Sequence, residues 1–123
     1  MNAETLGPYK NLQVWQDAIE LTTIIYNTTK NFPREEMFGI VSQLRRSAVS
    51  IPSNIAEGYG RSTNTELIHF LYIALGSSNE LNTQIEISKN LKFIDEENYT
   101  MISEKNEEIN AKLRALIKTR SNF

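Results

Sequence analysis

The chain has 123 residues, of which 40% are hydrophobic and none is cysteine, and its formal net charge at pH 7 is −2. This length and apolar content can form one domain with a hydrophobic core, which excludes disorder throughout the chain. The lack of cysteine excludes disulfides and thiolate chemistry, and the lack of a signal peptide or a long apolar segment predicts a cytoplasmic protein that does not span a membrane.

Four helical patterns and no strand pattern follow one another, which predicts a single all-α domain over residues 1–123. The first pattern repeats apolar residues at steps of three and four and predicts a helix near residues 11–30, ending ahead of Pro33. Its predicted core face consists of Trp15, Ala18, Ile19, Thr22, Ile25, Tyr26 and Thr29.

The second pattern, near residues 35–60, keeps its helical spacing through Pro52. A proline inside a helix cannot donate to the carbonyl four residues back, here that of Ala48, and the break costs about 3 kcal/mol. We therefore expect a second helix kinked at Pro52, with Asn54 or Ser53 bonding to the freed backbone groups. Its predicted core face consists of Met37, Val41, Leu44, Ala48, Ile51, Ile55 and Tyr59.

The third and fourth patterns predict helices near residues 63–90 and 95–119. Thr63 followed by Glu66 is typical of a capping box at a helix start, and Asp95 is a favourable N-cap for the fourth helix. The links between the patterns are only a few residues long, so successive helices must pack antiparallel. The sequence therefore predicts an up-down-up-down four-helix bundle.

Two features indicate contact with another subunit. The apolar face of the second helix spans roughly half of its circumference, more than a corner helix of an isolated bundle needs. The residues that widen it are Phe38, Ile40, Val49, Pro52 and Ala56. Gly76 lies mid-helix at a cost of about 1 kcal/mol relative to Ala, which close approach of another backbone would explain. The alternative is that both features serve packing within one subunit.

The sequence offers no convincing catalytic, cofactor-binding or metal-binding site. Glu66 and His69 have the spacing used in di-iron bundles, but such a site needs two of these motifs and His69 is the only histidine. The pair of glycines in residues 58–60 lacks the rest of a phosphate-binding motif and is more typical of a helix end. We therefore expect a protein that is not an enzyme and binds no cofactor.

Charge is distributed unevenly along the chain. Eight acidic residues and three basic ones lie between Glu80 and Glu108, whereas the last thirteen residues carry four basic residues and no acidic one. Solvated helix faces explain most of this pattern. The candidate nucleic-acid contacts are Arg45, Arg46, Arg61, Lys112, Arg114, Lys118 and Arg120. Arg46 should be exposed, while Arg45 has the alternative of pairing with Glu57 or Glu80.

One long motif points to a known family. The run SQLRRSAVSIPSNIAEGYGR, at residues 42–61, is followed by IALGSSNEL and preceded by Trp15 and by Phe32-Pro33-x-x-Glu36. It resembles the four-helix-bundle proteins encoded by intervening sequences in bacterial 23S ribosomal RNA genes. It is also similar to the accessory variability protein of diversity-generating retroelements, a basic pentameric barrel that binds nucleic acid and a reverse transcriptase, whereas this chain has a pI near 5.5.

The resemblance implies a four-helix subunit that assembles into a ring-like homopentamer. Together with the charges, it predicts a non-enzymatic oligomeric scaffold that binds RNA or a ribonucleoprotein weakly. The alternative is a protein–protein interaction scaffold with no nucleic-acid role. The residues expected to shape the kink or the oligomer are Phe38, Val49, Pro52, Asn54, Ala56 and Gly76.

Overall fold

The computed structural model describes residues 8–122 and confirms the all-α class. It contains α1 (Gln13–Thr29), α2 (Ile40–Tyr59), α3 (Asn64–Asn90) and α4 (Glu96–Arg120), with short 3-10 helices at Tyr9–Asn11 and Arg34–Glu36. No strand occurs among these described residues. The predicted helix bounds agree within two residues except at the start of α2, and the outermost parts of the predicted domain, residues 1–7 and 123, lie outside the described residues.

The contacts between neighbouring helices show that these helices run in opposite directions. Thr22 of α1 meets Ala48 of α2, while Thr29, two turns further along α1, meets Arg45. The chain closes the bundle where Lys112 of α4 pairs with Asp17 of α1. Between α2 and α3, Ser47 meets Gln84 and Ser50 meets Ser77. Between α3 and α4, Asn64 bonds to the Arg120 carbonyl and Ser78 bonds to Asn106. Successive helices are therefore antiparallel, and α4 packs back against α1.

The core face of α1 is rotated relative to the predicted one. Val14 and Leu21 are buried in the core, although the predicted face omitted both. Ile19 and Tyr26, which the prediction placed in the core, are exposed beside α2. The prediction was wrong because α1 carries apolar residues on two adjoining sides, one toward the bundle core and one toward the outer edge of α2.

The segment before α2 also differs from the prediction. Arg34–Glu36 forms a 3-10 turn, and α2 begins only at Ile40, after Gly39. Met37 therefore precedes the helix and is 42% exposed, so its predicted place in the core was wrong. Phe38 likewise lies in the turn and not on the helix. Spacing alone did not separate these two residues from the helix because they continue its three-and-four repeat.

Helix α2 continues through Pro52, and the carbonyl that the proline leaves without its amide partner is met by α1. The hydroxyl of Thr22 lies 3.1 Å from the carbonyl oxygen of Ala48 and 2.7 Å from that of Ala18. Its single hydrogen is shared between these two acceptors. The amide of Asn54 donates instead to the carbonyl of Ser50, so the predicted help from Asn54 is directed elsewhere. A kink at Pro52 stays a prediction.

A buried polar layer joins α2, α3 and α4. The Ser47 hydroxyl lies 2.6 Å from a Glu80 carboxylate oxygen and 3.0 Å from the Gln84 side-chain oxygen. On the other side of α3, the Ser78 hydroxyl donates to Asn106, whose amide donates back to the Ser78 carbonyl. Because a buried polar group is costly when unpaired, these bonds favour one register of the three helices.

The predicted N-caps of α3 and α4 are confirmed. The Thr63 hydroxyl accepts from the Glu66 amide at 3.2 Å, and the Asp95 carboxylate accepts from the Asn98 amide at 2.8 Å. Between residues 8 and 122, no helix is long and apolar enough to cross a membrane.

Two glycines in helices have opposite surroundings. A Cβ added at Gly58 would lie 3.0 Å from the Leu67 side chain, so this glycine permits close packing of α2 on α3. At Gly76 an added Cβ would meet nothing within 4 Å. Packing inside the subunit therefore does not explain Gly76.

Candidate interaction surface

A groove runs between α1 and α2 on the outer side of the bundle. We call it the Pro52 groove. Its volume is about 320 Å³, and every residue that lines it is uncharged. These residues are Tyr9, Trp15, Ile19, Thr22, Val49, Pro52, Ser53 and Ala56. The rings of Tyr9 and Trp15 meet edge to face, 5.4 Å apart, and form an aromatic wall.

A second depression, which we call the Arg45 hollow, adjoins the Pro52 groove. It has a volume of about 610 Å³. Its lining consists of Tyr26, Met37, Phe38, Val41, Ser42, Arg45, Arg46, Val49, Ser50, Ser53 and Asn54. Val49 and Ser53 line both depressions, so the two form one continuous area, called here the α1–α2 surface.

This surface concentrates exposed apolar side chains. Of the ten large hydrophobic residues that are exposed within residues 8–122, five line it: Ile19, Tyr26, Met37, Phe38 and Val49. Phe38 is the extreme case, with 97% of its area exposed. Single exposed apolar residues are ordinary, but several of them gathered on one surface are typical of an interaction site.

Five of the six residues predicted to shape the kink or the oligomer line the α1–α2 surface. These are Phe38, Val49, Pro52, Asn54 and Ala56. Gly76 lies apart, on the exposed side of α3. The sequence reasoning missed the contribution of Ile19 and Tyr26 from α1 and of Tyr9 from the 3-10 helix before it. The available signal was that the apolar residues of α1 are too many for a single core stripe.

The basic residues predicted to contact nucleic acid are divided among several parts of the bundle. Arg45 and Arg46 lie on the α1–α2 surface. Arg46 is exposed, as expected, whereas the Arg45 guanidinium lies over the Tyr26 ring, 4.6 Å from its centre, and donates to the Thr29 hydroxyl at 3.0 Å.

The carboxylates proposed as partners of Arg45 are engaged elsewhere. Glu57 pairs with Arg61 at 3.2 Å, and Glu80 accepts from Ser47. Arg61 also lies over the Phe70 ring, 4.7 Å from its centre. The Arg45 pairing expected from the sequence is therefore replaced by contacts with α1.

Three of the four basic residues that were predicted on α4 also contact their own subunit. The Lys112 ammonium lies 2.5 Å from a carboxylate oxygen of Asp17, Arg114 donates to the Asn110 side chain, and the Arg120 guanidinium lies 5.8 Å from the centre of the Tyr59 ring. Lys118 is exposed in the last turn. The structure thus spreads the predicted contacts over α2, the link that follows it and α4, and does not gather them into one basic site.

The pair between Lys112 and Asp17 has a clear electrostatic signature. Burial by itself raises the pKa of Asp17. The hydrogen bonds from Lys112 and Gln13, together with the charge of Lys112, lower this pKa by more than burial raises it, so the pKa lies below its ordinary value of 3.8. The hydrogen bond to Asp17 raises the pKa of Lys112 above 10.5. Both groups are therefore charged at neutral pH, and the pair links α4 to α1.

A separate depression between α1 and α4 is acidic. It has a volume of about 660 Å³ and is lined by Glu20, Ile24, Glu96, Glu97, Thr100, Met101, Glu104, Lys105 and Glu108. Its one lysine, Lys105, pairs with Glu20 at 3.2 Å. This negative charge would repel a phosphate backbone.

The geometry offers no support for metal chemistry. Within residues 8–122, no cluster of three or more histidine, cysteine or acidic residues is placed to hold a metal ion. Glu66 bonds to Thr63 and lies 3.9 Å from Arg61, while the His69 ring packs edge-on against Phe70.

Comparison with known proteins places the chain in a family. The family model described as 23S rRNA-intervening sequence protein matches residues 10–115. A crystal structure at 1.70 Å of a protein of unknown function from the S23 ribosomal protein family, from Bacteroides thetaiotaomicron VPI-5482, is similar, with a TM-score of 0.78 and 30% identity. The alignment covers 85% of this chain and 98% of that one. No curated protein matches the chain. The chain belongs to the 23S rRNA-intervening sequence protein family.

Proposed function

We propose that this protein is a non-enzymatic scaffold that assembles with copies of itself through the α1–α2 surface. The observation that carries the proposal is the group of five exposed large apolar residues on that surface, of which Phe38 is the most exposed. Burying a fully exposed side chain such as that of Phe38 contributes about 1.5–3 kcal/mol, and the partly buried members of the group contribute less. Several buried together can offset the loss of freedom on association.

A ring of five subunits is the assembly that we propose, following the family resemblance. In a cyclic ring, each subunit repeats the same heterologous contact, so every copy of the α1–α2 surface is covered when the ring closes.

The charges favour a protein scaffold over an RNA-binding one. Arg45, Arg61 and Lys112 each contact side chains of their own subunit. The acidic α1–α4 depression is repeated in every subunit of an oligomer, as is the exposed Arg46. Any RNA binding should therefore be weak, independent of sequence and steeply dependent on salt, because counterion release would dominate it.

Light scattering on untagged protein at micromolar concentration tests the assembly. We expect about five times the chain mass of 14.1 kDa.

Val49→Lys, on the α1–α2 surface, should give smaller species. Ile87→Lys on α3 is a matched control, because Val49 and Ile87 are both β-branched helix residues with 40% and 44% exposure. It should keep the parent mass, and both variants should keep the helix content of the parent. A parent mass near that of one chain would overturn the proposal, and a Val49→Lys variant of unchanged mass would remove this surface from the interface.

RNA binding is tested separately with a fluorescently labelled single-stranded RNA at low and high salt. No binding at low salt supports the protein scaffold. Binding that disappears when Arg46, Arg114, Lys118 and Arg120 are all replaced by Gln, while oligomer mass stays constant, would instead establish a nucleic-acid role.

A further inference from the structure

Phe38 projects from a backbone that hydrogen bonds hold in place. The Met37 amide donates to the Arg34 carbonyl at 3.1 Å, and the Gly39 amide donates to the Glu36 carbonyl at 3.0 Å. Helix α2 begins at Ile40, directly after Gly39. An aromatic side chain that is 97% exposed on such a turn is a fixed apolar projection. Leaving it in water forgoes the stabilisation that burial of an aromatic ring gives.

The Pro52 groove has the properties of a site for such a ring. Its edge-to-face pair of Tyr9 and Trp15 offers the geometry that a third aromatic ring prefers. On the opposite wall, Pro52 and Ala56 are compact and leave space in the groove. Since no charged residue lines the groove, a charged occupant would lose its hydration there without gaining a partner. The groove therefore suits a neutral, apolar side chain.

The Phe38 ring cannot fill the groove of its own chain. It lines the neighbouring Arg45 hollow and not the Pro52 groove. Along α2, Ile40 and Pro52 are separated by about 18 Å at 1.5 Å per residue, which is farther than one side chain reaches. Within residues 8–122, the exposed Phe38 ring and the Pro52 groove thus match in chemistry but lie too far apart to meet in one chain.

We infer that Phe38 of one copy inserts into the Pro52 groove of another copy, so that each groove is completed by a neighbouring subunit. This inference rests on the proposed self-assembly and specifies the contact that holds it together. In a closed assembly, every Phe38 ring can be buried in a neighbouring Pro52 groove. An open assembly leaves one ring exposed at one end and one groove empty at the other.

Photo-crosslinking tests the contact without removing the aromatic ring. We would place p-benzoylphenylalanine at position 38, irradiate the assembled protein and map the product by mass spectrometry. We expect a link between two chains that ends on groove residues such as Trp15 or Ala56. The same group at position 72 is the control, because Tyr72 is an exposed aromatic residue on α3, outside the α1–α2 surface. It should give no link to the groove.

Two substitutions supply an independent measurement. Phe38→Ala should raise the dissociation constant of the assembly roughly 10- to 100-fold, while the matched Tyr72→Ala leaves it unchanged. Ala56→Phe keeps Phe38 but fills the groove from within, and should weaken assembly as well. Because Phe38 is exposed in the subunit, its loss should leave the helix content of the subunit intact.

The outcomes separate this inference from the proposed function. If the parent protein is an oligomer, but position 38 crosslinks outside the groove or Phe38→Ala assembles like the parent, the inserted-ring contact is wrong and the scaffold proposal stands. If the parent protein is a monomer, both are wrong. A crosslink to the groove together with weakened assembly of both variants supports both.

Discussion

The hydroxyl of Thr22 should stabilise the fold because Pro52 is present. Pro52 has no amide hydrogen for the Ala48 carbonyl, and Ala48 is buried, so the Thr22 hydroxyl at 3.1 Å is a replacement donor from another helix. Valine has nearly the shape of threonine but no hydroxyl. Leaving a buried acceptor without its partner costs about 1–3 kcal/mol. Because this hydroxyl is shared with Ala18, we expect Thr22→Val to cost about 1–2 kcal/mol.

A double-mutant cycle identifies the cause. In the Pro52→Ala background, the amide of residue 52 can again donate to the Ala48 carbonyl, so Thr22→Val should cost less than about 0.5 kcal/mol. The expected coupling free energy is therefore about 1 kcal/mol, above the 0.3–0.5 kcal/mol that is about the limit for independent sites.

Urea unfolding followed by circular dichroism measures each variant, at one fixed protein concentration because assembly also contributes to stability. Thr23→Val is the matched control, since its exposed hydroxyl donates to the Ile19 carbonyl within the same helix. The control should change the free energy of unfolding by no more than about 0.5 kcal/mol. Equal costs of Thr22→Val with and without Pro52 would refute the explanation.

Four further substitutions have expected outcomes. Pro52→Ala should keep the helix content but weaken assembly, because the proposed bend and one wall of the groove change; unchanged mass and unchanged dissociation on dilution would contradict this. The lowered pKa of Asp17 means that its contribution to stability is complete above pH 3.8 and is lost as the pH falls through the folded-state pKa. Asp17→Asn should therefore flatten the loss of stability in urea unfolding below pH 3.8, and an unchanged acid profile would assign that loss to other groups. Gly58→Ala should destabilise by about 1–3 kcal/mol, whereas Gly76→Ala, outside the α1–α2 surface, should stabilise the subunit by up to about 1 kcal/mol and leave assembly unchanged; weakened assembly would show that the interface extends to Gly76.

Local sequence signals predicted the helices and several of their ends. Caps and helical periodicity depend on residues three or four positions apart, so Thr63 and Asp95 could be identified without knowledge of the fold. The start of α2 could not be located in this way. Met37 and Phe38 fit the helical repeat, but the chain forms a separate turn before Gly39.

The candidate surface was only half predictable for a related reason. The widened apolar side of α2 indicated Val49, Pro52 and Ala56, and all three line the Pro52 groove. The matching side of α1 was included in its predicted core, because a sequence pattern shows that a residue is apolar but not which neighbour covers it. Only the rotation of α1 in the bundle places Ile19 at the surface and Leu21 in the core.

By itself, the sequence determined the all-α class, the four helices and the family, since these depend on composition, local spacing and a long ordered motif. The tertiary structure alone decided which basic residues are engaged within the subunit, and that the Ala48 carbonyl beside Pro52 is met by Thr22. Thr22 and Ala48 are 26 positions apart in the chain. The physical reason is that hydrogen bonds and ion pairs between helices depend on the rotation and register of each helix, which are set by the packing of all four helices together.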